Sequence, residues 1–281
     1  MKLCVIGTGR CGTTLLWRML DSHPDLFVHR ETHWIPALHE VYGTAAGPTE
    51  DMLDIVARTC HVTGQPTTQL DAEAFRASAQ FRREMTVAAF GDAVGMFLAH
   101  AAGKRFWADK TPDYGYFTAT LQLHWPECRV LNLIRDGVPC AQSMSRHIGY
   151  RALVAMGRTH WPPLAQGFTP RKDGYDRGPL AAYADLWAAR LQRSRDEAQR
   201  LSPGSYMELR YEDLVRSPRD ALARVAQFAE LSDPSDWLDS AAAMVDPARA
   251  APRPRNPQVV AAFGSRPAAL LEELGYDPVS G

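Results

Sequence analysis

The segment from Leu3 to Leu20 constrains the fold more than any other part of the chain. A short apolar run, Leu3 to Ile6, ends in Gly7-Thr8-Gly9, and Thr13 to Leu20 then places Leu15, Leu16, Met19 and Leu20 at helical spacing. This is a strand, a glycine turn and a helix. The rhythm returns downstream: Arg105 to Ala108 and Arg129 to Ile134 read as strands, with Tyr114 to Trp125 and Asp136 to His147 as the helices that follow them. Leu180 to Leu201 reads as a long amphipathic helix and Ser205 to Leu209 as a strand. Pro218 to Leu231 reads as a helix with Ser217 as N-cap and Pro218 at its first position. Strands alternating with helices predict an α/β fold, a parallel β-sheet flanked by helices.

Between these units, residues 32–103 show no strand-like run and read as a mostly helical insertion. Its most apolar part, Val87 to Ala102, is interrupted by Asp92 and His100. That stretch falls short of the roughly 20 residues a membrane span needs, so a buried helix is expected rather than a span. From Tyr150 to Pro179, glycine, proline and aromatic residues replace any periodic pattern, which predicts a loop. Tyr150, Trp161, Phe168 and Tyr175 offer apolar faces there, and Gly157, Gly167 and Gly174 permit movement. Residues 150–179 are therefore the candidate lid over an acceptor. Residues 246–281 read as a C-terminal arm, extended from Asp246 to Pro257 and ending in a short helix, Pro267 to Leu274. With 46% hydrophobic residues in a length of 281, these parts fit one domain, 1–281.

Gly7, Gly9 and Gly12 stand between the first strand and the first helix, where unpaired N–H groups and the helix dipole attract an anion. Arg10 adds a positive charge, and Thr13 and Thr14 add hydroxyl donors. The glycine spacing also satisfies the dinucleotide fingerprint, with Glu31 as the acidic ribose partner, but His23-Pro24 breaks the strand that should precede it. The turn is P-loop-like as well, although it lacks the Gly-Lys-Ser/Thr ending and carries Arg10 where an ATP-binding loop has lysine. Any anion site is local, because 31 Lys and Arg against 32 Asp and Glu leave a formal net charge of −1 and give no reason to expect nucleic acid. Five cysteines, Cys4, Cys11, Cys60, Cys128 and Cys140, include no CxxC pair, and the first strand reaches its glycines too early for a secretion signal. A reducing, cytoplasmic setting follows as the expectation. His23, His29, His33 and His39 lack HExxH spacing and read as loop and surface residues, so no metal site is predicted.

Several segments resemble one known family. Arg10-Cys11-Gly12-Thr13-Thr14-Leu15-Leu16, Met19-Leu20-Asp21, His23-Pro24-Asp25 and Glu31-Thr32 with Ile35-Pro36 are similar to the opening of the sulfotransferases that use 3′-phosphoadenosine 5′-phosphosulfate (PAPS), above all the tyrosylprotein sulfotransferase-like branch. Asn132-Leu133-Ile134-Arg135-Asp136-Gly137, followed by Ser143-Met144-Ser145-Arg146, is similar to that family's 3′-phosphate element. Ala108-Asp109-Lys110-Thr111-Pro112 and Arg210-Tyr211-Glu212-Asp213-Leu214 lend support.

The resemblance implies an enzyme that transfers a sulfuryl group from PAPS to a hydroxyl of a small molecule or other acceptor, leaving 3′-phosphoadenosine 5′-phosphate and requiring no metal. It implies a donor site of Gly9, Arg10, Cys11, Gly12, Thr13, Thr14, Arg135, Ser143 and Tyr211, and a catalytic set of Glu31, Lys110 and Arg10. Glu31 stands at the family's position for a general base, with His29 and His33 beside it as alternatives; Lys110 is the candidate for stabilising charge. The family's late Ser/Lys element has no clear counterpart, Asn256 lying only roughly where it would fall. From the residues alone, a nucleotide-dependent kinase and a noncatalytic nucleotide-binding domain stay open. ATP with Mg²⁺ against a 3′,5′-bisphosphorylated adenosine without it would separate the first of these.

Overall fold

The computed structural model describes residues 1–61, 64–161, 174–246, 248 and 257–276. The chain opens with β1 (Leu3–Gly7), α1 (Thr13–Asp21), β2 (Leu26–Arg30), α2 (Trp34–Tyr42), β3 (Gly47–Pro48), α3 (Thr49–Arg58), α4 (Ala72–Ala77), β4 (Glu84–Met85) and α5 (Val87–Ala101). It continues through β5 (Phe106–Lys110), a 3₁₀ turn (Pro112–Tyr116), α6 (Thr118–His124), β6 (Arg129–Ile134), α7 (Gly137–Met144), α8 (Ile148–Ala155) and α9 (Leu180–Ala198). Then follow β7 (Tyr206–Arg210), α10 (Tyr211–Arg216), α11 (Pro218–Phe228), α12 (Ser235–Ala242) and two last helices, Pro257–Ala261 and Ser265–Glu273.

Strands β2-β5-β1-β6-β7 form one parallel sheet in that order, with helices on both faces. Alternation along β1 divides the core: Leu3 and Val5 join α1, α7, α9 and α11 on one face, while Cys4 and Ile6 join α2, α3 and α5 on the other. Residues 32–103 therefore build half of the core rather than a cap on it. Asp92, which interrupts the apolar run of α5, accepts hydrogen bonds from the indoles of Trp107 (2.8 Å) and Trp125 (3.0 Å), so its polarity is satisfied inside the fold. No helix among the described residues is long and apolar enough to cross a membrane.

The structure corrects several expectations. β2 exists, because Pro24 precedes it and only Leu26 onward must pair; α1 fastens its outer edge through Trp17 Nε1 to the Val28 carbonyl (2.7 Å) and Asp21 Oδ1 from the Val28 N–H (2.8 Å). β5 lies between β1 and β2, so Glu31 sits two strands, about 10 Å, from the glycine loop and is not placed as a ribose partner. The helix expected over Asp136 to His147 ends at Met144, and His147 begins α8 by accepting the Gly149 N–H at its Nδ1 (3.2 Å). The start of the expected lid, Tyr150 to Ala155, is thus helical and buries Ala152 and Leu153. Ser217 does occupy the N-cap of α11, with Pro218 behind it, but its hydroxyl makes no capping bond. His23 and His29 are buried rather than superficial, His23 bonding the Ser232 carbonyl at 2.8 Å. In the C-terminal arm, Val259, Phe263, Leu270 and Leu271 enter the core, Phe263 against Trp187. Asn256 and residues 162–173, with Phe168 and Gly167, lie outside the described residues.

Candidate active site

Each of the five parallel strands hands one polar residue to the same end of the sheet. β1 leads to Arg10, β2 to Glu31, β6 to Arg135 and β7 to Tyr211, while Lys110 is the last residue of β5. Open α/β sheets bind ligands at that carboxyl end, where the loops can approach one another freely. The first loop is held in an unusual backbone shape: Gly9, Arg10 and Gly12 have φ of 85°, 55° and 105°. Two aromatic side chains close on its glycines. A Cβ on Gly9 would lie 1.7 Å from the Tyr150 hydroxyl, and one on Gly12 would lie 2.3 Å from the Tyr211 ring. Replacing Gly12 by alanine combines a left-handed backbone with overpacking and should lower stability by about 2 kcal/mol or more. Denaturant melting of Gly12→Ala checks this, and an unchanged midpoint would show that Tyr211 yields freely.

Gly12 ends the loop at the N-cap of α1, which has no side-chain cap and no acidic residue in its first turn. That helix end is free to receive an anion. Thr13 is buried, Cys11 is fully buried with its thiol pushed up by burial, and Thr14 is exposed at the mouth of the loop. Around the loop, Arg10 Nε donates to Ser143 Oγ at 3.0 Å, and Arg135 Nη1 donates to the Arg10 carbonyl at 3.3 Å. The Arg135 guanidinium lies 4.3 Å from the centroid of Tyr211. Two arginines, a serine hydroxyl and an uncapped helix end thus converge: a donor set suited to a ligand with two separated phosphate-type charges.

The second half of the site is built on β2 and β5. Glu31 and His33 both take left-handed φ, 62° and 56°, a costly conformation at non-glycine residues, worth about 1–3 kcal/mol each. Thr32 between them is fully buried and pinned: its hydroxyl meets Tyr114 Oη at 2.5 Å, and its carbonyl accepts Thr67 Oγ1 at 2.9 Å. The strained turn points Glu31 Oε1 at the ammonium of Lys110, with which it forms a salt bridge. Oε2 faces His33 Nε2 at 3.9 Å and His61 Nδ1 at 3.8 Å. His33 Nδ1 in turn lies 4.0 Å from Asp113, whose carboxylate pairs with Arg190 at 2.5 Å.

Burial pushes the Glu31 carboxyl up, but His33 and the Lys110 ammonium pull it further down, so it is held well below the usual carboxylate range. Burial also drives His29 down to about 4, helped by the charge of Lys110, and pushes Asp109 up to about 6. His61 is lowered, chiefly by burial.

One cleft of about 1200 Å³ joins the two halves, lined among others by Arg10, Thr14, Glu31, His33, His61 and Trp161. Lys110 is not on its wall; its side chain is fully buried behind Glu31. His29 also stays off the wall, buried within β2 with Nδ1 lacking a hydrogen-bond partner. Of the two histidines flanking Glu31, the cleft reaches His33 alone. Tyr150 lines the cleft from α8 rather than from a loop. Sequence reasoning missed His61, Asp113 and Arg190, which come from the turn after α3, the 3₁₀ turn and α9. Local spacing carries no signal for such contacts; Asp113, beside the Lys110 segment, was the one within reach.

The model of the sulfotransferase family matches residues 3–235. Nodulation protein NoeE of Sinorhizobium fredii (strain NBRC 101917 / NGR234) is 28% identical over 227 residues, which cover 79% of this chain and 48% of that protein. The chain spans about half the length of that curated relative. Among solved structures, the sulfotransferase domain from the curacin biosynthetic pathway superposes with a TM-score of 0.56 at 18% identity, covering 98% of this chain and 97% of the other. The sulfotransferase domain from the Synechococcus PCC 7002 olefin synthase gives 0.55 at 19% identity, covering 98% and 94%. At such identities the likeness is one of fold, and it agrees with the parallel sheet and flanking helices described above.

Proposed function

The chain belongs to the sulfotransferase family, and on that premise we propose that it transfers a sulfuryl group from PAPS to a hydroxyl of an organic acceptor. The observation that carries this reading is the shared cleft, in which the anion-seeking loop, through Arg10 and Thr14, faces the carboxylate of Glu31. Bound PAPS supplies the sulfuryl group and a stable bisphosphorylated leaving group. The chain supplies position, charge and a proton acceptor. The uncapped end of α1, formed by Gly9, Cys11, Gly12 and Thr13, with Arg10 and Thr14, holds the 5′-phosphosulfate. Arg135 and Ser143 hold the 3′-phosphate, and Tyr211 supports the Arg135 guanidinium over its ring.

Glu31 accepts the acceptor's proton at Oε2, since Lys110 occupies Oε1. As long as that ion pair is closed, Glu31 is a weak base and Lys110 is neutralised. Negative charge arriving at the loop gives the ammonium a second partner, and any share of it that Lys110 takes raises the basicity of Glu31. That share also sets positive charge against the oxygen from which sulfur departs. Trp161 and Tyr150 both line the cleft, Tyr150 with its hydroxyl over Gly9.

The donor half is tested by calorimetry. Arg135→Ala should weaken binding of 3′-phosphoadenosine 5′-phosphate by at least about 2 kcal/mol, the range for losing a charge-assisted contact, while adenosine 5′-phosphate loses little. Equal affinity of the unaltered protein for these two nucleotides would overturn the assignment. The transfer itself is tested by screening hydroxylated acceptors with PAPS for a mass gain of one SO₃.

A further inference from the structure

We propose that Glu31, His33 and His61 form a binding site for a zinc-class divalent cation, and that its occupancy silences the carboxylate. The site stands on geometry alone; its effect on turnover rests on the reading of Glu31 as the base. The three ligand atoms, one carboxylate oxygen and two imidazole nitrogens, all lie within 4.8 Å of one another, and both histidines reach Oε2 at under 4 Å. Four-coordinate zinc, with bonds of 2.0–2.1 Å, holds its ligand atoms about 3.3 Å apart. Closing the cluster onto a cation therefore brings each imidazole nitrogen about half an ångström nearer Oε2 and draws the widest-spaced ligand atoms together by up to about 1.5 Å, which rotation of two partly exposed rings supplies.

The donor set selects the ion. Two imidazoles and one carboxylate with an open fourth position suit zinc, cobalt or ferrous iron, whereas magnesium prefers oxygen ligands and retained water. The surroundings are built rather than incidental. Glu31 and His33 flank the pinned Thr32, and His61 is fixed by its own N–H on the Gln65 carbonyl at 2.8 Å. A metal-bound imidazole commonly directs its other nitrogen to a carboxylate, which sets the tautomer. His33 shows that arrangement, with Nε2 toward Glu31 and Nδ1 toward Asp113, itself anchored by Arg190.

Oε1 is already engaged by Lys110, so Oε2 is the oxygen open both to a cation and to the acceptor's proton. A cation there takes the lone pair the proton would use and leaves the loop of Arg10 and Thr14 untouched.

The test is a titration of the chelator-treated full chain with cobalt(II) alone, followed by visible absorption, with zinc as competitor and magnesium as control. Cobalt should develop the intensified bands of a four-coordinate nitrogen and oxygen site, zinc should abolish them, and magnesium should not. Losing an outer partner of a ligand costs about 10- to 100-fold in metal affinity, so His33→Ala and His61→Ala should each weaken binding by at least ~10-fold. His61→Asn, smaller in its disturbance of the turn, is the companion variant, and circular dichroism checks that each is folded. A spectrum that stays that of the free ion, or equal affinity in all three variants, overturns the site. With PAPS and a working acceptor, zinc should depress turnover and a chelator restore it; zinc that accelerates turnover overturns the silencing. A histidine-dependent cobalt spectrum in a chain that transfers no sulfuryl group supports the site and refutes the function proposed above.

Discussion

Glu31→Gln should lower kcat by about 100-fold or more while leaving PAPS affinity nearly unchanged. Glutamine keeps the size of the side chain and can still meet the Lys110 ammonium through its amide oxygen, so the strained turn and the buried lysine retain a partner. What it loses is the ability to take a proton. Donor affinity stays because the proposed phosphate contacts come from β1, β6 and β7, not from β2. Steady-state kinetics with an acceptor identified by its SO₃ mass gain, beside calorimetry with 3′-phosphoadenosine 5′-phosphate, measures both quantities. Wild-type turnover in this variant would move the proton to His33, the flanking histidine that lines the cleft.

Lys110→Met should cost about 100- to 1000-fold in kcat, the range for removing a preorganised charge from a developing anion. Its signature against Glu31→Gln is the pH profile. In the unaltered protein the Lys110 ammonium helps to hold Glu31 below the usual carboxylate range, so the base stays ionised through the working range and contributes no acidic limb. With methionine in place of lysine, burial acts on Glu31 without the opposing Lys110 charge, and the carboxyl pKa rises. The rate should then fall as pH drops through that raised value, an acidic limb absent before. A proportional loss at every pH would leave Lys110 a structural partner only; thermal melting separates that outcome from simple unfolding.

How much of this was legible in the sequence depended on the distance between interacting residues. The loop from Gly7 to Thr14 and the Arg135 to Ser143 element are local, and their chemistry follows from a strand end meeting a helix. β2 was hidden because His23-Pro24 reads as a break, although a five-residue edge strand needs only the residues after it. Tyr150 was read with the glycine- and proline-rich stretch behind it, yet His147 starts a new helix that brings its hydroxyl over Gly9. The apolar run of β1 showed a buried strand but not that residues 32–103 would cover one of its faces. The pairing of Lys110 with Glu31 joins two strands by crossover, and nothing in either segment alone announces it. Burial alone would raise the Glu31 carboxyl, and neighbours that the sequence does not bring together reverse that sign.

The order β2-β5-β1-β6-β7 has a consequence for how such a protein diversifies. The proposed nucleotide contacts descend from the β1, β6 and β7 side, whereas Glu31, His33, His61 and the residues of α2 and α3 that face the cleft descend from β2 and the segment after it. The two groups share one sheet, with β5 between β1 and β2. Exposed residues such as Asp54 and Arg58 can therefore be exchanged without disturbing the proposed grip on the donor. A lineage built on this plan inherits one half as a fixed grammar and rewrites the other as vocabulary. Swapping α2 and α3 between relatives is accordingly the graft expected to change which acceptor is modified while the nucleotide affinity travels unchanged.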